Sequence, residues 1–251
     1  MGKYLVFRLY GPMAAWGEIA VGETRRSSSF PGKAAILGII AAAIGIRRDE
    51  QDRLDNLTHG YQVAASVINP GFLLKDYHTV QVPDSIGKFS YSTRRDEIVV
   101  GGCRKDNRLK TILSSREYRC DALTLIAICP TLDAPYALPE ILNALLRPKY
   151  VLYLGRKSCP LSLPLHPQII ETDGFHAALN RFSFPPIVET RDRKRDITGI
   201  FIPDRVVRYY WDGEAGDMQP QQTIERYERS LNRRRWQFAP MQVHVREERG
   251  A

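Results

Sequence analysis

The chain opens on KYLVFRLY, residues 3–10, a partly alternating run of aromatic and branched residues that predicts a strand, and GPMAAWG breaks it. Beyond the polar loop ETRRSSSFPG lies AAILGIIAAAIG, residues 34–45, apolar on nearly all sides, which predicts a helix pressed against a sheet. Ser29 is placed to cap that helix, Pro31 suits its first turn, and Gly45 suits a left-handed end. Strands are predicted at YQVAASVIN, residues 61–69, and at ALTLIAICP, residues 122–130. PEILNALLR, residues 139–147, has the spacing of a short amphipathic helix, and KYVLYLG, residues 149–155, predicts a fourth strand. The order β-α-β, long insertion, β-α-β predicts an α+β fold: a ferredoxin-like antiparallel sheet with helices on one face.

The insertion, about residues 84–119, holds nine basic and five acidic residues, half of the chain's excess charge in a seventh of its length. Gly101 and Gly102, flanked by DEIVV and RLKTIL, predict a long hairpin projecting from the sheet; a solvated basic loop is the plainer alternative. After Pro164 the character changes. Residues 175–179 suit a short helix, RDRKRDITGIFIPDRVVRYYW suits a charged turn followed by short strands, and IERYERSLNRRRW carries five arginines against two glutamates. The expected organisation is a domain over residues 1–164 and a smaller β-rich extension over 165–251.

Composition narrows the partners. The chain has 251 residues, is 43% hydrophobic and carries a formal charge of +8, so it buries a core and favours a polyanion without specifying which one. The N-terminal segment lacks the pattern of a signal peptide, the longest apolar run is too short to span a bilayer, and a cytoplasmic location is expected. Cys103, Cys120, Cys129 and Cys159 form no CxxC pair and no zinc spacing with histidine, so no metal or other cofactor is expected.

The stretch YLGRKSCPL, residues 153–161, admits three roles. A cysteine nucleophile at Cys159 needs a base, and the nearest histidine, His166, lies past two prolines; a Walker loop is absent. As an anion grip, Gly155 admits close backbone approach, Arg156 can meet a phosphate with two bonds, Lys157 adds charge and Ser158 a donor, with Tyr153 alongside. The third role is a surface turn. A second candidate grip is TRRSSSFPGK, which sets Arg25, Arg26, Ser27 and Lys33 at a helix N-terminus. In KDYHTVQ, His78 could serve acid-base RNA cleavage with Tyr77 and Lys75, Tyr77 and His78 could stack on splayed bases, or His78 could be satisfied locally. No acidic set for metal-dependent cleavage is visible, and no helix shows the exposed polar row of a duplex-DNA reader.

YLVFRLYGPMAAWG, TRRSSSFPGKAAILGIIAAAIGIRRDE, DYHTV, REYRCDA and LRPKYVLYLGRKSCPL, in this order, resemble the CasD family of type I-E CRISPR Cascade subunits over most of residues 1–164. The resemblance implies a RAMP-type ferredoxin-like fold with a protruding thumb. It implies a non-catalytic subunit that caps the repeat-derived 5′ handle of the CRISPR RNA. The implied partners are that RNA, the large, backbone and small subunits, the processing endonuclease and, through the complex, target DNA, with no membrane. A related subtype, in which the equivalent subunit is a metal-independent endoribonuclease, supplies the alternative. The handle would be held by the two grips, with Tyr77 and His78 at the thumb's base and Arg94, Arg95, Arg104, Lys105 and Arg116 along the thumb.

Overall fold

The computed structural model describes every residue except 21, 84–89, 104–108, 184–205, 233–234, 236 and 250–251. Arg104 and Lys105, and the stretch RDRKRDITGIFIPD, lie outside the described residues.

β1 (Gly2–Tyr10) is buried on both faces, which is why its sequence is nearly continuously apolar. It pairs antiparallel with β7 (Leu123–Pro130) and with β8 (Gln168–Thr172). β7 continues to β4 (Tyr61–Asn69), and β9 (Val206–Trp211), β11 (Gln237–Arg249) and β10 (Gln222–Asn232) extend the same sheet, giving the order β10-β11-β9-β4-β7-β1-β8. Alternate residues divide the core. Leu5, Phe7, Leu9, Ile126, Ile128 and Val63 face α1 (Lys33–Ile44), α2 (Gln51–His59) and α4 (Leu138–Leu146), whereas Tyr4, Val6, Leu125 and Ala127 face α5 (Phe175–Arg181). Helices therefore cover both faces rather than one, because Phe175, Ala178 and Leu179 form an apolar stripe, and Phe175 meets Tyr4 edge-on at 5.1 Å.

The expected fourth strand is not formed. Residues 149–155 spend their backbone elsewhere: Lys149 N and Tyr150 N donate to Ala43 O and Ala42 O at the end of α1, and Leu154 O accepts from Ala15 N. β8 takes the vacant place beside β1. A second sheet is built from β2 (Met13–Ala14), β3 (Thr24–Arg25), β5 (Phe72–Val82) and β6 (Lys110–Cys120), with β5 and β6 in antiparallel register along their whole length. The DEIVV flank is helical, not extended: it lies in α3 (Arg94–Cys103), where Thr93 Oγ1 accepts from Asp96 N and Arg94 pairs with Glu97 one turn on.

The start of α1 also departs from expectation. Its N-cap is Gly32, not Ser29, and its end is Gly45 in the left-handed region at φ 91°. A carboxylate from β10, Glu228, lies against this N-terminus so tightly that a Cβ on Gly32 would meet it at 2.0 Å. Burial pushes the Glu228 carboxyl up, while Arg226 and the Lys33 and Ala34 amides favour its charge. Arg226 Nε meets Glu228 Oε1 at 2.5 Å, and the guanidinium also covers the Phe30 ring at 4.5 Å and donates to Ser28 Oγ. Removing one partner of a buried pair strands the other. Glu228→Ala removes the carboxylate at the α1 N-terminus and leaves Arg226, whose side chain is 9% exposed, with Ser28 Oγ and, at 3.6 Å, Glu18 Oε1. Urea unfolding is expected to show a loss of about 3 kcal/mol; an unchanged midpoint would show that Ser28 and Glu18 satisfy Arg226 alone.

Candidate nucleic-acid interface

A strap of residues 23–28 runs alongside β6 and is fixed from several sides. Glu23 O accepts from Ser115 N at 3.0 Å, and Thr24 and Arg25 run parallel to Ser115 and Arg116. Ser27 is buried: its amide donates to Glu117 Oε2 at 3.1 Å, and its Oγ accepts from Trp16 N at 3.0 Å. Ser28 N donates to Trp16 O at 2.8 Å. The sequence TRRSSS thus divides by role, with Ser27 holding the strap while Arg25 and Arg26 are exposed, Arg25 Nη1 donating to Gly22 O at 2.5 Å.

The 153–160 segment is a closed turn packed against the residues that precede the strap. Leu154 N donates to Cys159 O at 2.7 Å, Cys159 N to Arg156 O at 2.9 Å, and Tyr153 bridges Pro160. Gly155 sits at φ 85°, and a Cβ there would lie 1.8 Å from Ala15 O, so the turn needs glycine for both conformation and space. Cys159 is fully buried and burial pushes its thiol up, the opposite of what a thiolate nucleophile requires. Lys157 and Ser158 are exposed and Tyr153 is half-buried. The turn therefore does turn a corner, and it presents Lys157 and Ser158 at the apex.

Arg156 points inward. Nη1 donates to Glu117 O at 3.1 Å, Nη2 to Arg25 O at 3.4 Å, and Cζ lies 4.7 Å from the centroid of Tyr118. Lys33 is committed elsewhere: its ammonium meets Asp212 Oδ2 at 2.6 Å with both side chains largely buried, and Asp212 Oδ1 accepts from Val63 N. The α1 N-terminus offers no anion grip, since Glu228 already occupies it. The surface that remains is made of Arg25 and Arg26 on the strap, Arg116 beside Arg25 in register, and Lys157 on the turn tied to them by Arg156. Among the described residues, Arg26, Arg116 and Lys157 form no ion pair.

The β5–β6 ribbon continues from this surface. His78 bonds Asp76 on the face shared with Arg116 and Ser114, whereas Tyr77, 63% exposed, stands on the other face opposite Ser115. Consecutive strand residues point to opposite faces, so Tyr77 and His78 do not clasp one base between them. Arg94 reaches back to Gln81 O and pairs with Glu97, while Arg95 is exposed. The ribbon also exposes Phe72, Leu73, Val80 and Ile112, more apolar surface than a two-stranded ribbon normally shows to water. Among the described residues no group of His, Cys, Asp and Glu could hold a metal ion. Glu117 and Tyr118 carry the geometry of the site yet escape sequence inspection, because their partners lie far off in the chain.

Four matches to known proteins bear on the chain. A model of the CRISPR-associated protein (Cas_Cas5) family matches residues 4–244. The CRISPR system Cascade subunit CasD of Escherichia coli (strain K12) is 38% identical over 169 residues, covering 66% of this chain and 70% of that protein. Among solved structures, a chain of a CRISPR RNA-guided surveillance complex superposes with TM-score 0.64 at 20% identity, over 98% of this chain and 90% of that one. A Cas protein crystal structure gives TM-score 0.52, also at 20% identity, over 98% and 94% of the two chains. At that identity the two structures speak to fold.

Gly155→Ala tests the turn. The substitution combines an unfavourable φ with a backbone clash and is expected to cost about 3 kcal/mol in chemical unfolding; a variant as stable as the parent would show that the turn can retreat from Ala15.

Proposed function

The chain belongs to the CRISPR-associated Cas5 family, and from that premise we propose that it is the CasD-type subunit of a type I-E Cascade surveillance complex, binding and capping the 5′ handle of the CRISPR RNA without cutting it. In this role its partners are the CRISPR RNA, the large, backbone and small subunits and the processing endonuclease, and it meets target DNA only through the complex, in the cytoplasm. Among the described residues no helix is long and apolar enough to cross a membrane.

One observation carries the RNA-binding part: Arg25 and Arg116 are exposed and directly adjacent in register, with Arg26 and Lys157 close by through the strap and turn. Like charges side by side on neighbouring strands repel in the free protein, and a phosphate backbone laid across them removes that repulsion. The strands β4-β7-β1-β8, with α1 and α4 as crossovers, serve here as the ferredoxin-like unit, and the β5–β6 ribbon with α3 serves as the thumb. Tyr77 offers an aromatic face for an unstacked base at the ribbon, with His78 next to it on the opposite face and Arg95 exposed on α3. The apolar residues of the ribbon suit protein neighbours in the complex. The role is non-catalytic in this proposal because Cys159 is buried and Tyr77 and His78 do not share a face.

Salt titration tests the assignment. For single strands the slope of log K against log [salt] falls by about 0.7 for each phosphate no longer neutralised, so the double variant Arg25→Ala, Arg26→Ala is expected to flatten it by about 1.4. A slope equal to the parent's would place the RNA elsewhere.

A further inference from the structure

Sequence alone aims Arg156 at a phosphate, yet its guanidinium is turned to the protein. The two carbonyls it binds belong to different strands: Arg25 O on β3 and Glu117 O on β6, the latter next to Arg116. Its plane also covers the buried ring of Tyr118. β3 is only two residues long and runs parallel to β6, the weaker kind of pairing, and it sets Arg25 against the like charge of Arg116. The bonds that fix the strap at Glu23, Ser27 and Ser28 flank Arg25, and Arg156 adds a tie at the Arg25 carbonyl itself. The turn that delivers Arg156 is in turn fixed by Gly155 against Ala15.

We propose that Arg156 is a positioning residue: by bridging the Arg25 and Glu117 carbonyls over Tyr118, it holds the strap so that Arg25 and Arg26 face the phosphates of a single-stranded RNA, without contacting a phosphate itself. This inference rests on the RNA-binding role proposed above and separates the residue that shapes the surface from those that form it. The chemistry of the side chain decides the matter. A planar guanidinium reaches the two carbonyls with two separate nitrogens while lying over the ring, a geometry that the single nitrogen of an ammonium does not reproduce, although lysine would serve a phosphate nearly as well as a point charge.

The experiment measures affinity of the full-length chain for a labelled single-stranded RNA copied from the CRISPR repeat of the source genome. The variants are Arg156→Ala, Arg156→Lys, the Arg25→Ala, Arg26→Ala pair, and the Arg156→Ala, Arg25→Ala, Arg26→Ala triple. Arg156→Ala and Arg156→Lys are each expected to weaken binding by about tenfold, and the triple is expected to bind no more weakly than the pair, since Arg156 acts through the residues already removed. Arg156→Lys, which keeps charge and aliphatic stem, carries the comparison if Arg156→Ala does not fold. Parental affinity in Arg156→Lys overturns the inference, as does a triple weaker than the pair by the full Arg156→Ala factor. If the pair binds like the parent, the strap is not the RNA face and the inference falls while RNA binding stands; if the parent itself binds no RNA, the functional proposal fails first.

Discussion

The approach of Gly155 to the carbonyl of Ala15 governs how the candidate interface is put together. With no Cβ and a left-handed backbone at Gly155, the 153–160 turn can lie against the chain just before Trp16, whose amide and carbonyl bind Ser27 and Ser28. That contact brings the guanidinium of Arg156 within reach of β3 and β6. The strap, the turn and β6, remote from one another in sequence, thereby become one surface. The strap and the turn are not regular structure of any length, so their order is supplied by tertiary bonds and not by local propensity.

Charge is distributed by the same economy of contacts. Lys33 and Arg226 are the cations nearest the start of α1, and each is neutralised by a carboxylate, Asp212 and Glu228 respectively. The positive end of the helix dipole is likewise met from within. Around the strap, Arg25, Arg26, Arg116 and Lys157 stay exposed, beside a ribbon that offers Tyr77 and an apolar surface. The large sheet beneath is buried on both faces around β1 and β7.

Periodicity was enough for the central elements. β1, β4, β7, α1 and α4 fall within a few residues of where alternation and apolar runs predict them, because burial on a sheet leaves an imprint on local sequence. KYVLYLG misleads because its pattern suits a strand while its backbone is satisfied by the end of α1 and by Ala15. α3 was legible in principle: Thr93 followed by Asp96 and Glu97 is a helix-start signal that the branched run DEIVV outweighs by eye. Ser29 and the α1 N-terminus misled for another reason, since the carboxylate that fills the site comes from β10, almost two hundred residues on. For the interface, Arg25, Arg26 and Lys157 were legible as exposed cations in polar loops. The inward turn of Arg156 was not, because it depends on Tyr118, Glu117 and Arg25 meeting in space.

Recovery of the native RNA tests the central claim most directly. The chain is tagged and purified from cells that co-express the neighbouring genes and a CRISPR array, and the RNA that accompanies it is sized and its 5′ ends sequenced. The account predicts one RNA length with a shared repeat-derived 5′ end, together with several stoichiometric proteins. Heterogeneous RNA without a common 5′ end, or no RNA at all, would contradict it.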